Sequence, residues 1–401
     1  MMRILHTADW HLGKTLEGRS RLAEQADFID ELVELVDEEQ IDLLLIAGDI
    51  YDTVNPPAAA EALFYEGIER LSKGGTRPIV LISGNHDHPD RLTASGPLLR
   101  HQGIIMVGQP VQQAVTIPIK RTGEEAVIAA LPYPSEARLQ QLLSQGNEEE
   151  QIRSAYSARV GELFAMQAQS FREDTVNLIM SHLYVLGGQE SESERPIQVG
   201  GAYTVHPNAF LTAEQASLNA QYVALGHLHR PQYVKSELPV RYSGSPLSYS
   251  FSEAGQSKSV TILDIAPGQA AEPVERYLRA GKPLVTWKVK GGYEEICTWL
   301  EEGRDSNAWI DVSIHLQEAL TLDQIQHLRR SHPGIINIRP IYPDMQELAT
   351  DAERRTDLPV EELFRRFYER QTGGAAPDDA LISLFLELVG EEESTAVEVT
   401  E

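Results

Sequence analysis

The chain has 401 residues, too many for one ordinary domain and suited to two or three. Its hydrophobic fraction of 42% provides for a sizeable core, and a formal net charge of −26 argues against a protein that coats nucleic acid non-specifically. The single cysteine, Cys297, excludes an intrachain disulfide and a cysteine-based zinc site, and suits a reducing compartment.

The opening MMRILHTADW has no apolar h-region and no stretch approaches a membrane span, so a soluble, cytoplasmic protein is expected. Arg3 to Thr7 reads as a short apolar strand. Leu22, Ala26, Ile29, Leu32, Val33 and Val36 recur at helical spacing and predict a helix from about Arg21 to Glu39. Asp42 to Ala47 is a continuous apolar run, the pattern of a strand buried on both faces. Pro57 starts a helix that continues to about Ser72, and Ile79 to Ser83 is a second buried strand. Further strands are expected at Val127 to Leu131, Val176 to Ser181, Tyr222 to Leu225, Arg241 to Ser243 and Ser259 to Ile265, with a helix from about Gln151 to Phe171 among them. This alternation is that of an α/β domain over residues 1–265.

Pro267 to Glu272 (PGQAAE) reads as a linker. A β-α-β-α-β module follows at 275–345: strands Leu284 to Val289, Trp309 to His315 and Ile335 to Ile341, helices Glu294 to Glu301 and Leu322 to Arg330. Two short amphipathic helices are expected within 355–390, around Gly373-Gly374, and residues 391–401 form an acidic tail expected to be disordered.

Five apolar strands run straight into residues of metal-ligand type: Asp9-Trp10-His11, Gly48-Asp49-Ile50-Tyr51-Asp52, Gly84-Asn85-His86-Asp87, Ser181-His182 and Gly226-His227-Leu228-His229. In α/β sheets ligands bind beyond the carboxyl ends of the strands, so these clusters should converge on one edge. Imidazole, carboxylate and amide oxygen together suit two divalent cations such as manganese, iron or zinc, with one carboxylate bridging them. The glycines before Asp49, Asn85 and His227 allow a sharp turn at the strand end. In Asp9-x-His11 and His227-x-His229, a spacing of two puts both side chains on one face where the backbone stays extended. Each cluster alone also fits an ordinary turn or surface pair; their joint occurrence in this order carries the reading.

The ordered set resembles that of the calcineurin-like metallophosphoesterase family over residues 1–265, and HTADWHLGK, AGDIYDTVNPP and GNHDHPDRL resemble its SbcD-like nucleases. The resemblance implies a four-layer αββα metallophosphoesterase sandwich with a smaller α+β capping domain and a C-terminal helix pair. It implies one divalent ion on Asp9, His11, Asp49 and His229, and another on Asp49, Asn85, His182 and His227, with manganese as the metal. His86 is then no ligand: it faces the scissile phosphate and stabilises the transition state or acts as general acid. Asp52 is the partner such proteins would use to orient His86, with Asp87 as the alternative, and the sequence does not choose between them. His88 stands where SbcD-like sequences often carry a small residue, and has no assigned role.

The same resemblance implies a nuclease with exonuclease action on double-stranded DNA (3′ to 5′) and endonuclease action on single strands and hairpins, in DNA end processing, recombination and repair. Lys14, Arg19, Arg21 and Arg91, near the motif loops, are candidate phosphate contacts. Leu363, Phe364, Phe367, Leu381, Leu384, Phe385 and Leu388 are candidates for docking an SbcC-like ATPase, with packing back on the capping module as the alternative. No Gly-x-x-x-x-Gly-Lys-Ser/Thr loop is present, so ATP dependence would come from that partner. A homodimer within a heterotetramer is implied, with no membrane association. A small-molecule phosphodiesterase and a non-catalytic scaffold for an ATPase are the competing readings.

Overall fold

The computed structural model describes residues 1–135, 149–194 and 204–342 apart from 211, 214, 215 and 218, together with 364, 365, 368, 377, 381, 382 and 385. The chain divides into two compact units, Met1–Thr286 with Asp305–Asp311, and Trp287–Arg304 with the residues from Val312 onward.

In chain order the first unit holds β1 (Met2–Thr7), α1 (Leu22–Glu38), β2 (Leu43–Ala47), α2 (Ala58–Ser72), β3 (Ile79–Ile82), β4 (Ile104–Val107), β5 (Val115–Pro118), β6 (Glu125–Leu131), α3 (Glu149–Ala168), β7 (Val176–His182), β8 (Tyr222–Gly226), β9 (Gln232–Val234), β10 (Val240–Tyr242), β11 (Ser259–Ile265) and β12 (Glu272–Tyr277), besides shorter pieces. One sheet has the order β12-β11-β1-β2-β3-β4 and the other β9-β10-β8-β7-β6-β5. The middle of each is parallel: Ile4 pairs with Leu43 and Leu44 with Ile79 in the first, Ile128 with Leu178 and Tyr222 with Leu178 in the second.

Period-two alternation explains the layering. Ile4, Leu43, Leu45, Val80 and Ile82 face Ile128, Ala130, Leu178, Met180 and Ala224 across the space between the sheets. Their neighbours Leu5, Leu44, Ile46, Ile79 and Leu81 point the other way, onto Phe28, Ile29, Leu32 and Val36 of α1 and Phe64, Ile68 and Leu71 of α2. The outer face of the second sheet, with Ile179, Val223 and Leu225, is covered by Tyr156, Val160, Leu163 and Phe164 of α3. The result is helix, sheet, sheet, helix. Each of these buried Leu, Ile, Val and Phe side chains contributes about 1.5–3 kcal/mol. The packed sheets therefore fix where the strand ends lie, and through them the loops that carry the site.

The four outermost strands, β4, β5, β9 and β12, add to the strands expected from sequence. Pro267 to Glu272, expected as a linker, is instead the turn of a β11–β12 hairpin: Asp264 pairs with Glu272 and Ser259 with Tyr277, so the sheet continues past residue 265. The polar composition that suggested a linker is also that of a tight turn, with Gly268 at φ 69°.

The second unit takes in β13 (Leu284–Val289) from Trp287, α4 (Gly292–Glu301), β14 (Trp309–His315) from Val312, α5 (Leu322–Ser331) and β15 (Ile335–Ile341), whose strands form one sheet in the order β13-β14-β15. Trp287, Val289, Ile296, Val312, Ile314, Leu328 and Ile335 are among its buried side chains. A capping box between Thr321 and Gln324 starts α5. Leu363, Phe367, Leu384 and Leu388 lie outside the described residues, as does the acidic tail. Leu381 is half-buried, and the rings of Phe364 and Phe385 stack 4.1 Å apart.

Candidate metal centre

The ends of β1, β2, β3, β7 and β8 deliver their polar clusters to one place. Asp9, His11, Asp49, His182, His227 and His229 are buried and Asn85 is half-buried. The backbone there does not meet the condition under which Asp9-x-His11 and His227-x-His229 would each share a face, because it is not extended. Asp9 (φ 55°), His11 (46°), Asp49 (50°) and His227 (104°) all lie at positive φ. For residues with a Cβ this conformation costs on the order of 1–3 kcal/mol each and persists only where the surroundings enforce it. The enforcing bonds are main-chain rungs between loops, Asp9 N to Gly48 O at 3.0 Å and His11 N to Asp49 O at 3.0 Å. The glycines also act differently from expectation. Gly48 takes a positive φ of 89°, but Gly84 and Gly226 do not; a Cβ on Gly84 would strike the Asp49 carboxylate, and one on Gly226 the Ala47 carbonyl. Close approach of the loops, more than turning, requires them.

Asp49 occupies the middle. Its Oδ1 accepts from His86 N at 2.9 Å, while Oδ2 lies 3.6 Å from His11 Nε2 and 3.4 Å from His182 Nε2. On one side Asp9, His11 and His229 bring ligand atoms within 4.8 Å of one another, and on the other Asp9, Asp49 and His182 do the same. His11 Nε2 and His229 Nε2 face each other at 3.0 Å. Asn85 Oδ1 stands 2.9 Å from His182 Nε2 and 3.3 Å from His227 Nδ1. Asp9 accepts from His227 N through both oxygens, at 2.9 and 3.1 Å. Imidazole nitrogens and carboxylate and amide oxygens turned toward one another, buried and this close, are a donor set that fits divalent cations.

Two of the rings are anchored through their outer nitrogens. His182 Nδ1 donates to Ala47 O at 2.9 Å, so loss of the second ring proton frees the Nε2 lone pair on the side of Asp49 and Asn85. His229 Nδ1 lies 2.5 Å from Ser193 Oγ, and its backbone N donates to Glu194 Oε1 at 2.8 Å. Gln25 of α1 holds the His11 loop from behind, accepting from Gly13 N at 2.9 Å and donating to His11 O at 2.8 Å.

Charge and burial set the proton affinities. Burial pushes Asp9 up to about 7. Burial also opposes ionisation of Asp49, but His182, His86 and His11 outweigh it and hold the carboxyl well below its usual range. Burial lowers His182, yet Asp49 and Asp9 overcome it and bring the ring to about 9. Burial keeps His11 and His227 well below the ordinary histidine value. Protons and cations compete for these atoms, so ion binding releases protons.

His86 sits edge-on to His11, ring centroids 4.7 Å apart. Its Nδ1 donates at 2.7 Å to the main-chain oxygen of Asp52; the Asp52 carboxylate is 3.9 Å away and is bonded to Lys14 Nζ at 2.8 Å. The Asp87 carboxylate is engaged with main-chain amides, accepting from Ile50 N (3.1 Å), Tyr51 N (3.0 Å) and Gly84 N (2.9 Å) and riveting two motif loops together. His88 is exposed and caps the short helix Pro89–Thr93, accepting from Arg91 N at 3.4 Å.

The cationic candidates separate. Arg19 is exposed. Arg91 pairs with Glu61 at 3.0 Å and also bonds Asn55. Arg21 departs from its expected role as a phosphate contact: it is buried, its guanidinium forked onto Glu24 (2.7 and 2.8 Å) and bonded to Ser248 O (2.9 Å). Its position two residues after Arg19 gave no sign that it turns inward. Ser193, Glu194 and Glu253 support the centre without any motif of their own. Glu253 is buried with Lys258 against it, and although burial opposes its ionisation, the neighbouring His229 and Lys258 hold its carboxyl well below the usual range.

The family model of the calcineurin-like phosphoesterases matches residues 2–231, and that of the type 5 capsule protein repressor C-terminal domain matches residues 281–372. The chain is 52% identical to the D subunit of the nuclease SbcCD from Bacillus subtilis, over 98% of this chain and 100% of that protein. It is 30% identical to the D subunit of the nuclease SbcCD from Staphylococcus epidermidis, over 92% of this chain and 94% of that one. Strand-end metal-ligand clusters, the four-layer sandwich and near full-length identity agree: the chain belongs to the calcineurin-like phosphoesterase family, among its SbcD nucleases.

Proposed function

We propose that this chain is a two-metal DNA nuclease subunit that hydrolyses phosphodiester bonds in concert with an SbcC-like ATPase. The observation that carries this reading is the position of Asp49 Oδ2, 3.6 Å from His11 Nε2 and 3.4 Å from His182 Nε2, one buried carboxylate within reach of a histidine from each proposed ligand set. Asp9, His11, Asp49 and His229 hold one ion, and Asp49, Asn85, His182 and His227 the other. Manganese is the proposed metal. When bound, two divalent cations lower the pKa of a water molecule and offset negative charge on the phosphate.

The chain's own groups supply the rest. Asn85 and the ligand loops orient the phosphate. His86, held through Nδ1 by the Asp52 carbonyl, presents Nε2 for proton transfer to the leaving oxygen. Lys14, Arg19 and Arg91 contact flanking phosphates. The unit around β13 to β15 acts as the capping domain over DNA, and the segment at 355–390 docks the ATPase. The assembly is a homodimer of this chain within a heterotetramer, in the cytoplasm, acting on DNA ends, hairpins and single strands.

Incubation of the purified chain with end-labelled linear and hairpin DNA and manganese, beside His86→Ala and with bis-p-nitrophenyl phosphate as the DNA-free substrate, tests this. Cleavage of all substrates, lost in the variant, is expected. Cleavage of the small diester alone, even with the ATPase added, would point to a small-molecule enzyme. Cleavage of none with ions bound would leave a scaffold.

A further inference from the structure

We infer that Ser193 and Glu253 are positioning residues for the metal centre, a hydroxyl-carboxylate relay that fixes the tautomer and orientation of His229. Ser193 Oγ lies 2.5 Å from His229 Nδ1 and donates to Glu253 Oε1. Glu253 is buried, and its other oxygen receives Lys258 Nζ. Lys258 also donates to His229 O and to Ser245 Oγ, both at 3.0 Å, so one ammonium ties the carboxylate to the loop that carries the histidine.

A count of protons gives the direction of each bond. A carboxylate facing a lysine is ionised and only accepts. The single hydroxyl proton of Ser193 therefore goes to Glu253, and the serine oxygen must accept from His229. The other neighbour of that oxygen, Ser191 Oγ at 2.9 Å, has its own acceptor in Glu194 Oε2 at 2.7 Å. His229 Nδ1 thus carries the proton, and Nε2 turns its lone pair toward His11 Nε2, 3.0 Å away. The carboxylate charge, passed through the hydroxyl, makes that nitrogen a stronger donor. Outer-sphere partners of this kind typically change metal affinity about 10- to 100-fold.

This inference rests on the two-metal reading. Its test is titration of the full chain with Mn2+, reading free ion by electron paramagnetic resonance, for wild type, Ser193→Ala and Ser193→Thr. Thermal melts of the metal-free proteins are run alongside. Wild type is expected to take up two ions. Ser193→Ala should keep one at wild-type affinity and bind the other about 10-fold or more weakly. Ser193→Thr, which returns the hydroxyl, should recover most of the loss. An alanine variant that titrates like wild type overturns the relay. So does equal weakening of both ions, or a threonine variant that stays weak while its metal-free melt is unchanged. Wild type that binds no Mn2+ would instead bring down the two-metal reading, and the relay with it.

Discussion

The two sides of the metal centre are held in unlike ways. Around His182 and Asp49 the supporting bonds go to main chain: His182 Nδ1 to Ala47 O at 2.9 Å, and Asp49 Oδ1 from His86 N at 2.9 Å. Around His229 the ring and the amide go to side chains from distant segments, Ser193, Glu194 and, through Ser193, Glu253, beside one main-chain bond from Ser245 N to His229 O at 3.0 Å. A main-chain anchor survives most substitutions at its own position, so it is disturbed chiefly through what holds the loop, here the strands and the Asp87 carboxylate. A side-chain anchor can be removed by one substitution. The comparison teaches that the first side is built by the sheets and the second is added to them.

The substitution with the largest expected effect removes what the two sides share. Asp49→Ala should bind neither ion and lose turnover entirely, measured as metal per chain after gel filtration and as diester hydrolysis. A variant that kept both ions would show that Asp49 does not bridge. Next comes His86, which belongs to neither side. His86→Ala should retain both ions and lose about 100- to 10,000-fold in kcat, the range for a lost general acid. Loss of metal along with turnover would make His86 a ligand. Asp52→Ala sharpens the point. The His86 bond is to the Asp52 carbonyl, which alanine also has, so kcat should fall far less than in His86→Ala. An equal fall would mean that the carboxylate, not the carbonyl, orients the ring.

Asp87 tests the main-chain side for stability. Its carboxylate satisfies three buried amides, those of Ile50, Tyr51 and Gly84. A buried donor left unpaired costs about 1–3 kcal/mol. Asp87→Ala should therefore lower the urea-unfolding free energy by about 3 kcal/mol or more. A loss below about 1 kcal/mol would mean that water or a loop shift replaces the carboxylate.

The same contrast governs how much the sequence discloses. The central strands β1, β2, β3, β6, β7, β8, β10 and β11 are readable because burial on both faces demands apolar runs such as LLLIA and IVLI. The outermost strands are harder to read. Glu272–Tyr277 alternates with exposed residues, Val115–Pro118 ends in proline, and Gln232–Val234 is three residues long. Only Ile104–Val107 carries the apolar signal in full, and it is short. At the site, the candidate ligands are legible because the chemistry demands particular residue types just after a strand. Glu253 and Ser193 are not, since any segment that reaches His229 can carry the serine or the carboxylate. Nor is the inward turn of Arg21, which depends on Glu24 one helical turn later and on Ser248 far along the chain.

The smallest expected effect lies between the sheets, away from both sides. His6 of β1 is buried with Nδ1 3.0 Å from the Tyr222 hydroxyl. Burial, reinforced by Arg241, lowers its pKa from 6.5 to about 3. Between those values the unfolded chain binds a proton that the folded chain refuses. The contribution of His6 is therefore fully present above pH 6.5 and is lost as pH falls toward 3. From pH 6.5 down to 5.5 the loss amounts to about 1 kcal/mol. Wild type and His6→Gln, which keeps a polar partner for Tyr222 but does not titrate, would be unfolded in urea at both pH values with chelator present. Wild type should lose about 1 kcal/mol more than the variant over that interval. Parallel losses would mean that the folded state accommodates a charged His6, and that the layer between the sheets is less dry than its side chains indicate.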